Sequence, residues 1–311
     1  MNKSETAYAV GRHDRTGTAD PAPGEAGKTE QRLWLTAGLS GVILAVELVG
    51  GWLANSLALL SDAGHVFLDI FSIGLAIYAA RFCRLPAGGR SSFGMHRAEI
   101  LAALVNAFTL IGLALFIFYE AYRRLQAPPE VRAGEMLVVA LIGLLANFVG
   151  VWLLHGHRDI NVRGAYLHLL GDTGSSVAVI VGAGLIMLTG ERRIDPALSA
   201  FIGVLILYGA GRLIREAIDI LLERTPRDID IGQVEKKMLA VPGVATLHDL
   251  HIWSLCSNVR ALSAHLVLDE AGQRDRDAIT RRLRELLRDD YNITYVTTQY
   301  EDSQCCELKK D

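Results

Sequence analysis

Six stretches of this chain are apolar over a membrane-length run: about 33–54, 57–80, 100–118, 136–154, 165–189 and 197–222. Each is close to the roughly 20 residues a helix needs to cross a hydrocarbon core. A single run of this kind could be a buried helix of a soluble domain. Six in succession, most without any charge, leave a bundle of six transmembrane helices as the expected fold. A hydrophobic fraction of 51% with a net charge of only −3 points the same way, as does a mean hydropathy of +0.28. No nucleic-acid partner and no organic cofactor is expected.

The segment 1–30 is polar and rich in Gly, Ala, Asp and Thr, so it reads as a disordered tail with no apolar core of a cleavable signal. Six spans put both termini on one side. The connection after the second run carries Arg81, Arg84, Arg90 and Arg97 with no acid until Glu99, and the one after the fourth carries Arg158 and Arg163. By the positive-inside rule both face the cytoplasm, and the termini with them, in an inner (cytoplasmic) membrane. Arg123, Arg124 and Arg132 on the opposite side weaken that signal. Four cysteines, Cys83, Cys256, Cys305 and Cys306, form no disulfide framework, which suits a reducing compartment.

After residue 222 the pattern changes. "RTPRDIDIGQVEKKMLAVPG" reads as a helix ending at Pro-Gly, "VATLHDLHIWSL" and "VRALSAHLVLD" alternate as strands about the turn "CSN", "RDAITRRLRELLRDD" is an amphipathic helix, and "NITYVTTQYE" is a third strand. The order αββαβ predicts a small ferredoxin-like α+β domain over 223–311, cytosolic, serving as a sensor, a dimerisation unit or both.

The transmembrane region (31–222) contains residues that should cost several kcal/mol in lipid. His65 and Asp69 stand four apart in the second run, and His168 and Asp172 repeat the spacing in the fifth. Residues four apart share a helix face. If the two faces meet, two imidazoles and two carboxylates converge, a donor set suited to a tetrahedral divalent ion, zinc above all. Two carboxylates balance one dication, and an empty site could take up protons instead, so metal release and proton entry become linked. A lone histidine in a span is more often hydrogen-bonded to a neighbouring helix; the duplicated pair is harder to explain so. Asp62, one turn before His65, is either an exit-path carboxylate or a hydrated helix-end residue. Glu47 is either a proton-path group or bonded to a neighbouring helix.

The pieces "SLALLSDAGHVFLD", "FGMHRAEILAALVNA", "NVRGAYLHLLGD" with the following "GSS", "LLERTP" and "VPGVATLHDLHIWSL" resemble the cation diffusion facilitator family, in particular its bacterial zinc, cadmium and cobalt exporters. The similarity runs from about Leu35 to Glu301. It implies a homodimer that exchanges metal for protons by alternating access, with His65, Asp69, His168 and Asp172 as the transport site. By the pattern of the family it resembles, histidine rather than aspartate at the first of these positions implies a preference for zinc and cadmium over manganese. It also implies that His248, His265 and Glu301 bind a regulatory Zn2+ near the dimer interface, and that Arg97 meets Glu223 to couple the two domains. Without the resemblance, Arg97 and Glu99 would read as a snorkelling interfacial pair. His251 is expected to be structural. Cys305 and Cys306 either complete the regulatory site as soft donors or bind nothing.

Two departures from the family pattern stand out. Around "FG" only His96 is available, so a second loop site used by some relatives should be missing or weak. The connection before the fifth run offers only His155 and His157, either as a solvated turn or as a metal collector. The rival classes are an intramembrane metalloenzyme, for which no HExxH pattern and no evident extra base are present unless Asp62 serves, and a metal-gated channel or sensor. Four strong ligands would hold an ion too tightly for fast conduction.

Overall fold

The structure is a computed structural model that describes residues 23–83, 88, 91–154 and 160–301, with side chains from 38 onward except those at 153–154 and 160–169. The long helices are α1 (Pro23–Ala54), α2 (Leu57–Cys83), α3 (Ala98–Gln126), α4 (Ala133–Leu154), α5 (Ile160–Thr189) and α6 (Ile194–Leu221). α2 to α6 are long and apolar enough to cross a membrane, and the described apolar part of α1, Gly38–Ala54, is shorter. α1 starts at Pro23, inside the stretch expected to be a disordered tail. α3 continues past its apolar run because Glu120 pairs with Arg123 and Arg124 at i+3 and i+4, which extends the helix into polar surroundings.

α3 packs along α6 and α4 along α5, while α1 lies against α2 and α4, and α2 also touches α3, α5 and α6. The contact surfaces are made of small residues: Ala54, Ala58, Ala114, Ala140, Ala183 and Ala210 are all buried. Small side chains let helix backbones approach where no water drives association. Trp52, Phe116, Leu145, Phe148, Trp152 and Tyr208 point outward and are exposed, as expected of a surface that lipid covers.

The chain leaves α6 through a bonded turn. Glu223 adopts the left-handed conformation (φ 56°), and Arg224 and Arg227 both donate to the Asp219 carboxylate. Beyond it come α7 (Ile231–Leu239), β1 (Val244–Cys256), β2 (Val259–Leu268), a single-turn α8 (Glu270–Gln273), α9 (Arg276–Tyr291) and β3 (Ile293–Glu301). This is the expected order with α8 added. β1 and β2 form an antiparallel hairpin, β3 runs parallel to β2, and β2 is the central strand. Asp230 caps α7 and Asp275 caps α9, each accepting from backbone N–H groups of the first turn. Val234, Met238, Leu262, Leu266, Leu283, Leu287 and Ile293 form the core between helices and sheet.

Candidate metal centres

α2 carries His65 and Asp69 on one face, and the close approach of α5 brings Asp172 to them. One ligand atom from each of the three lies within 4.8 Å of the others. His65 Nε2 is 3.5 Å from Asp69 Oδ2. His65 Nδ1 is buried without a hydrogen-bond partner among the described residues, an arrangement that costs free energy unless something binds there. His168 stands one turn before Asp172 on α5; its side chain lies outside the described residues.

Asp62 is 4% exposed, so the reading of it as a hydrated helix-end residue does not hold. The N-terminal turns of α2 are packed against other spans rather than ending in water. Ser175 Oγ, from α5, sits 2.8 Å from Asp62 Oδ1 and 2.8 Å from the Asp172 carbonyl. The Asp62 carboxylate is therefore bonded across the same helix pair that carries the three-residue cluster. Glu47 is also buried; its Oε1 would lie 3.0 Å from a Cβ added to Gly143 of α4, near Ser176 of α5. Ser176 accepts from Asn147 at 3.5 Å.

In the C-terminal domain His248 and His265 face each other across the β1–β2 ladder. Glu301 pairs with Val267, two residues further along β2, so it is a diagonal neighbour of His265 on the same face. The Glu301 carboxylate divides its oxygens between the two rings, with Oε2 3.2 Å from His248 Nε2 and Oε1 2.9 Å from His265 Nδ1. Two imidazoles and a half-buried carboxylate within 4.8 Å form a second donor set that suits zinc. Asp249, in the left-handed region (φ 53°) at a break in the β1–β2 register, turns its carboxylate toward the same place, 3.9 Å from His265 Nε2. That bulge leaves His251 at the surface, 3.0 Å from Asp249 Oδ1. Cys305, Cys306, His155 and His157 lie outside the described residues.

Arg97 Nη2, just before α3, donates to Glu223 Oε1 at the end of α6. Close by, Phe93 meets Tyr295 of β3 edge to face, with centroids 5.6 Å apart. Glu223 holds a conformation that usually falls to glycine after a helix and costs other residues about 1–2 kcal/mol. An acid there is retained at a cost.

Sequence reasoning did not pick out Asp195, Asp249, Ser175 or the Asn147–Ser176 bond. Each is a contact between elements, and none repeats at a helical spacing.

A bundle of apolar helices with a buried histidine–carboxylate cluster, followed by a small α+β domain with a second such cluster, defines a multi-pass membrane protein that handles cations. Residues 33–222 match the cation efflux transmembrane domain and residues 226–303 the cation efflux protein cytoplasmic domain. The chain belongs to the cation efflux, or cation diffusion facilitator, family. It is 40% identical over 281 residues to the metal cation efflux system protein CzcD of Cupriavidus metallidurans, a match covering 90% of this chain and 89% of the relative. It is 38% identical over 263 residues to a cadmium, cobalt and zinc/H(+)-K(+) antiporter of Bacillus subtilis, covering 83% and 84%. Zinc transporter ZitB of Escherichia coli is 35% identical over 297 residues, covering 94% and 93%.

Proposed function

We propose that this chain exports divalent metal ions, zinc foremost and cadmium and cobalt with it, in exchange for protons, as a homodimer working by alternating access. The observation that carries the reading is the convergence of His65, Asp69 and Asp172 from two apolar helices; His168, one turn before Asp172 on α5, is the residue we propose as the fourth ligand. Two carboxylates match the charge of one dication, and the imidazoles supply the softer donors that zinc prefers over magnesium or calcium. The same groups bind metal only when deprotonated, so a proton entering from one side weakens the hold on the ion released there. Asp62, tied to α5 through Ser175, serves as a carboxylate on the path. The names of the CzcD, Bacillus and ZitB relatives support both cargo and coupling.

The protein sits in the inner membrane with both termini in the cytoplasm. The domain from 223 onward dimerises, as the domain type it matches suggests, and binds a regulatory zinc through His248, His265 and Glu301. Arg97 and Glu223 link its position to the spans. The chain acts as a carrier and not as an enzyme: it belongs to a family of cation efflux proteins, and its relatives are named as transporters.

Zinc flux into proteoliposomes, with and without a pH gradient, tests the reading. Uptake driven by the proton gradient supports it. Proton-independent flux would make the protein a channel, and no flux would make it a sensor or an enzyme.

A further inference from the structure

The first backbone N–H groups of a helix have no partner within it, and inside a bilayer each must find one in the protein. At α2 that partner comes from another span. Asp195, in the first turn of α6, accepts from Ser56 Oγ at 2.6 Å and Ala58 N at 3.2 Å through Oδ1, and from Leu57 N at 2.8 Å through Oδ2. Ser56 Oγ in turn accepts from Leu59 N at 3.3 Å. Asp195 and Ser56 are both 0% exposed. The turn just before α2 is held as well: Arg124 Nη1 of α3 donates to the Asn55 carbonyl, and Asn55 Nδ2 donates to the Glu130 carbonyl.

Ser56 alone would cap α2 in the ordinary way, from the residue preceding the helix. The added carboxylate from α6 has a different consequence, because α6 starts only a short turn after α5 ends at Thr189. α5 carries Asp172 and His168; α2 carries His65 and Asp69, roughly 12 and 18 Å down the helix axis from Leu57. We infer that Asp195 is a positioning residue for the transport site: it fixes the height of α2 against the α5–α6 unit, so that the two ligand pairs arrive level. The inference rests on the transport reading above and concerns the alignment of the two halves of the site.

The test is zinc uptake by full-length Asp195→Ala, Asp195→Asn and Ser56→Ala in proteoliposomes, with KM and maximal rate read separately and inserted protein quantified. The His248→Ala/His265→Ala background removes the second donor set from a parallel calorimetric measurement of zinc affinity. Loss of a group that orients ligands typically weakens metal affinity 10–100-fold. Asp195→Ala should therefore raise the zinc KM by at least about tenfold. Asp195→Asn keeps one carbonyl acceptor and should fall between it and wild type, and Ser56→Ala should shift KM least. A purely structural cap would reduce the amount of inserted protein and leave the KM of what remains unchanged, which would overturn the inference. If Asp195→Ala does not accumulate, a wild-type KM in both Asp195→Asn and Ser56→Ala overturns it equally. Failure of the unaltered protein to bind or move zinc would instead sink the transport reading.

Discussion

At the residue scale the His65–Asp69–Asp172 cluster is a problem of charge balance. With Asp69 or Asp172 replaced by alanine, one carboxylate faces a dication in low dielectric. Removing one partner of a buried ion pair costs roughly 3–5 kcal/mol, or two to four decades of affinity. Either variant should insert normally and lose zinc export, which growth of a zinc-sensitive host in metal would show; wild-type resistance would exclude a shared site. His65→Asp exchanges a borderline donor for a hard one and should move selectivity toward manganese, read from competition between the two ions in vesicle uptake. Because carboxylate and imidazole must shed protons to bind metal, affinity should fall as pH falls, and calorimetry in buffers of different ionisation enthalpy should show protons released. These residues were legible in the sequence because i, i+4 spacing is a local signal. Asp195 was not. It precedes Pro196 at a helix start, where an acid is expected for the helix dipole alone, and nothing local tells that its oxygens serve a helix almost 140 positions earlier.

At the element scale, hydropathy located every long helix, and strand alternation gave the three strands with the right turn between the first two. Ends were harder to read, since polar pairs such as Glu120 with Arg124 lengthen a helix after its apolar run stops. The bulge at Asp249 was hidden in "HDLHIW", which looks like uninterrupted strand. α8 was missed because a single turn has no periodicity. Its position is nonetheless strict: a Cβ on Gly272 would lie 2.3 Å from the Gly243 carbonyl oxygen and 2.9 Å from its carbon. Backbone cannot yield as a side-chain tip does, and Gly243 itself holds a φ of 98°. Gly272→Ala should destabilise the C-terminal domain by about 1–3 kcal/mol, seen as earlier cleavage of that domain in proteolysis of the full chain over a urea series. Protection equal to wild type would show that α8 can shift freely.

At the scale of the whole molecule, two domains meet at Arg97 and Glu223. Their side chains are 45% and 55% exposed, and pairs in that setting contribute about 0–1 kcal/mol to stability. The contact is too weak to hold the fold, so its effect should appear in coupling. Glu223→Gly relieves a left-handed residue while deleting the acid. It should leave the melting temperature unchanged or higher, yet raise the zinc concentration needed for activation. Arg97→Glu with Glu223→Arg should restore activation better than either change alone. The C-terminal donors lie outside the spans, so His248→Ala with His265→Ala should lower flux without abolishing it. An ion that only biases a conformational equilibrium supplies a coupling of roughly 1–3 kcal/mol. Complete loss in a folded double variant would make that ion obligatory.

α6 joins these two levels. It holds Asp195 at its start and Asp219, gripped by Arg224 and Arg227, near its end. A hydrogen-bonded helix cannot be stretched, and each residue added to it turns everything beyond by about 100° and advances it 1.5 Å. The separation of those two aspartates therefore has a phase as well as a length. Surface loops accept an extra residue, but one inserted in α6 between them would swing Glu223 away from Arg97 or pull Asp195 off the start of α2. α6 carries none of the proposed metal ligands, yet its length is fixed by the contacts at its two ends.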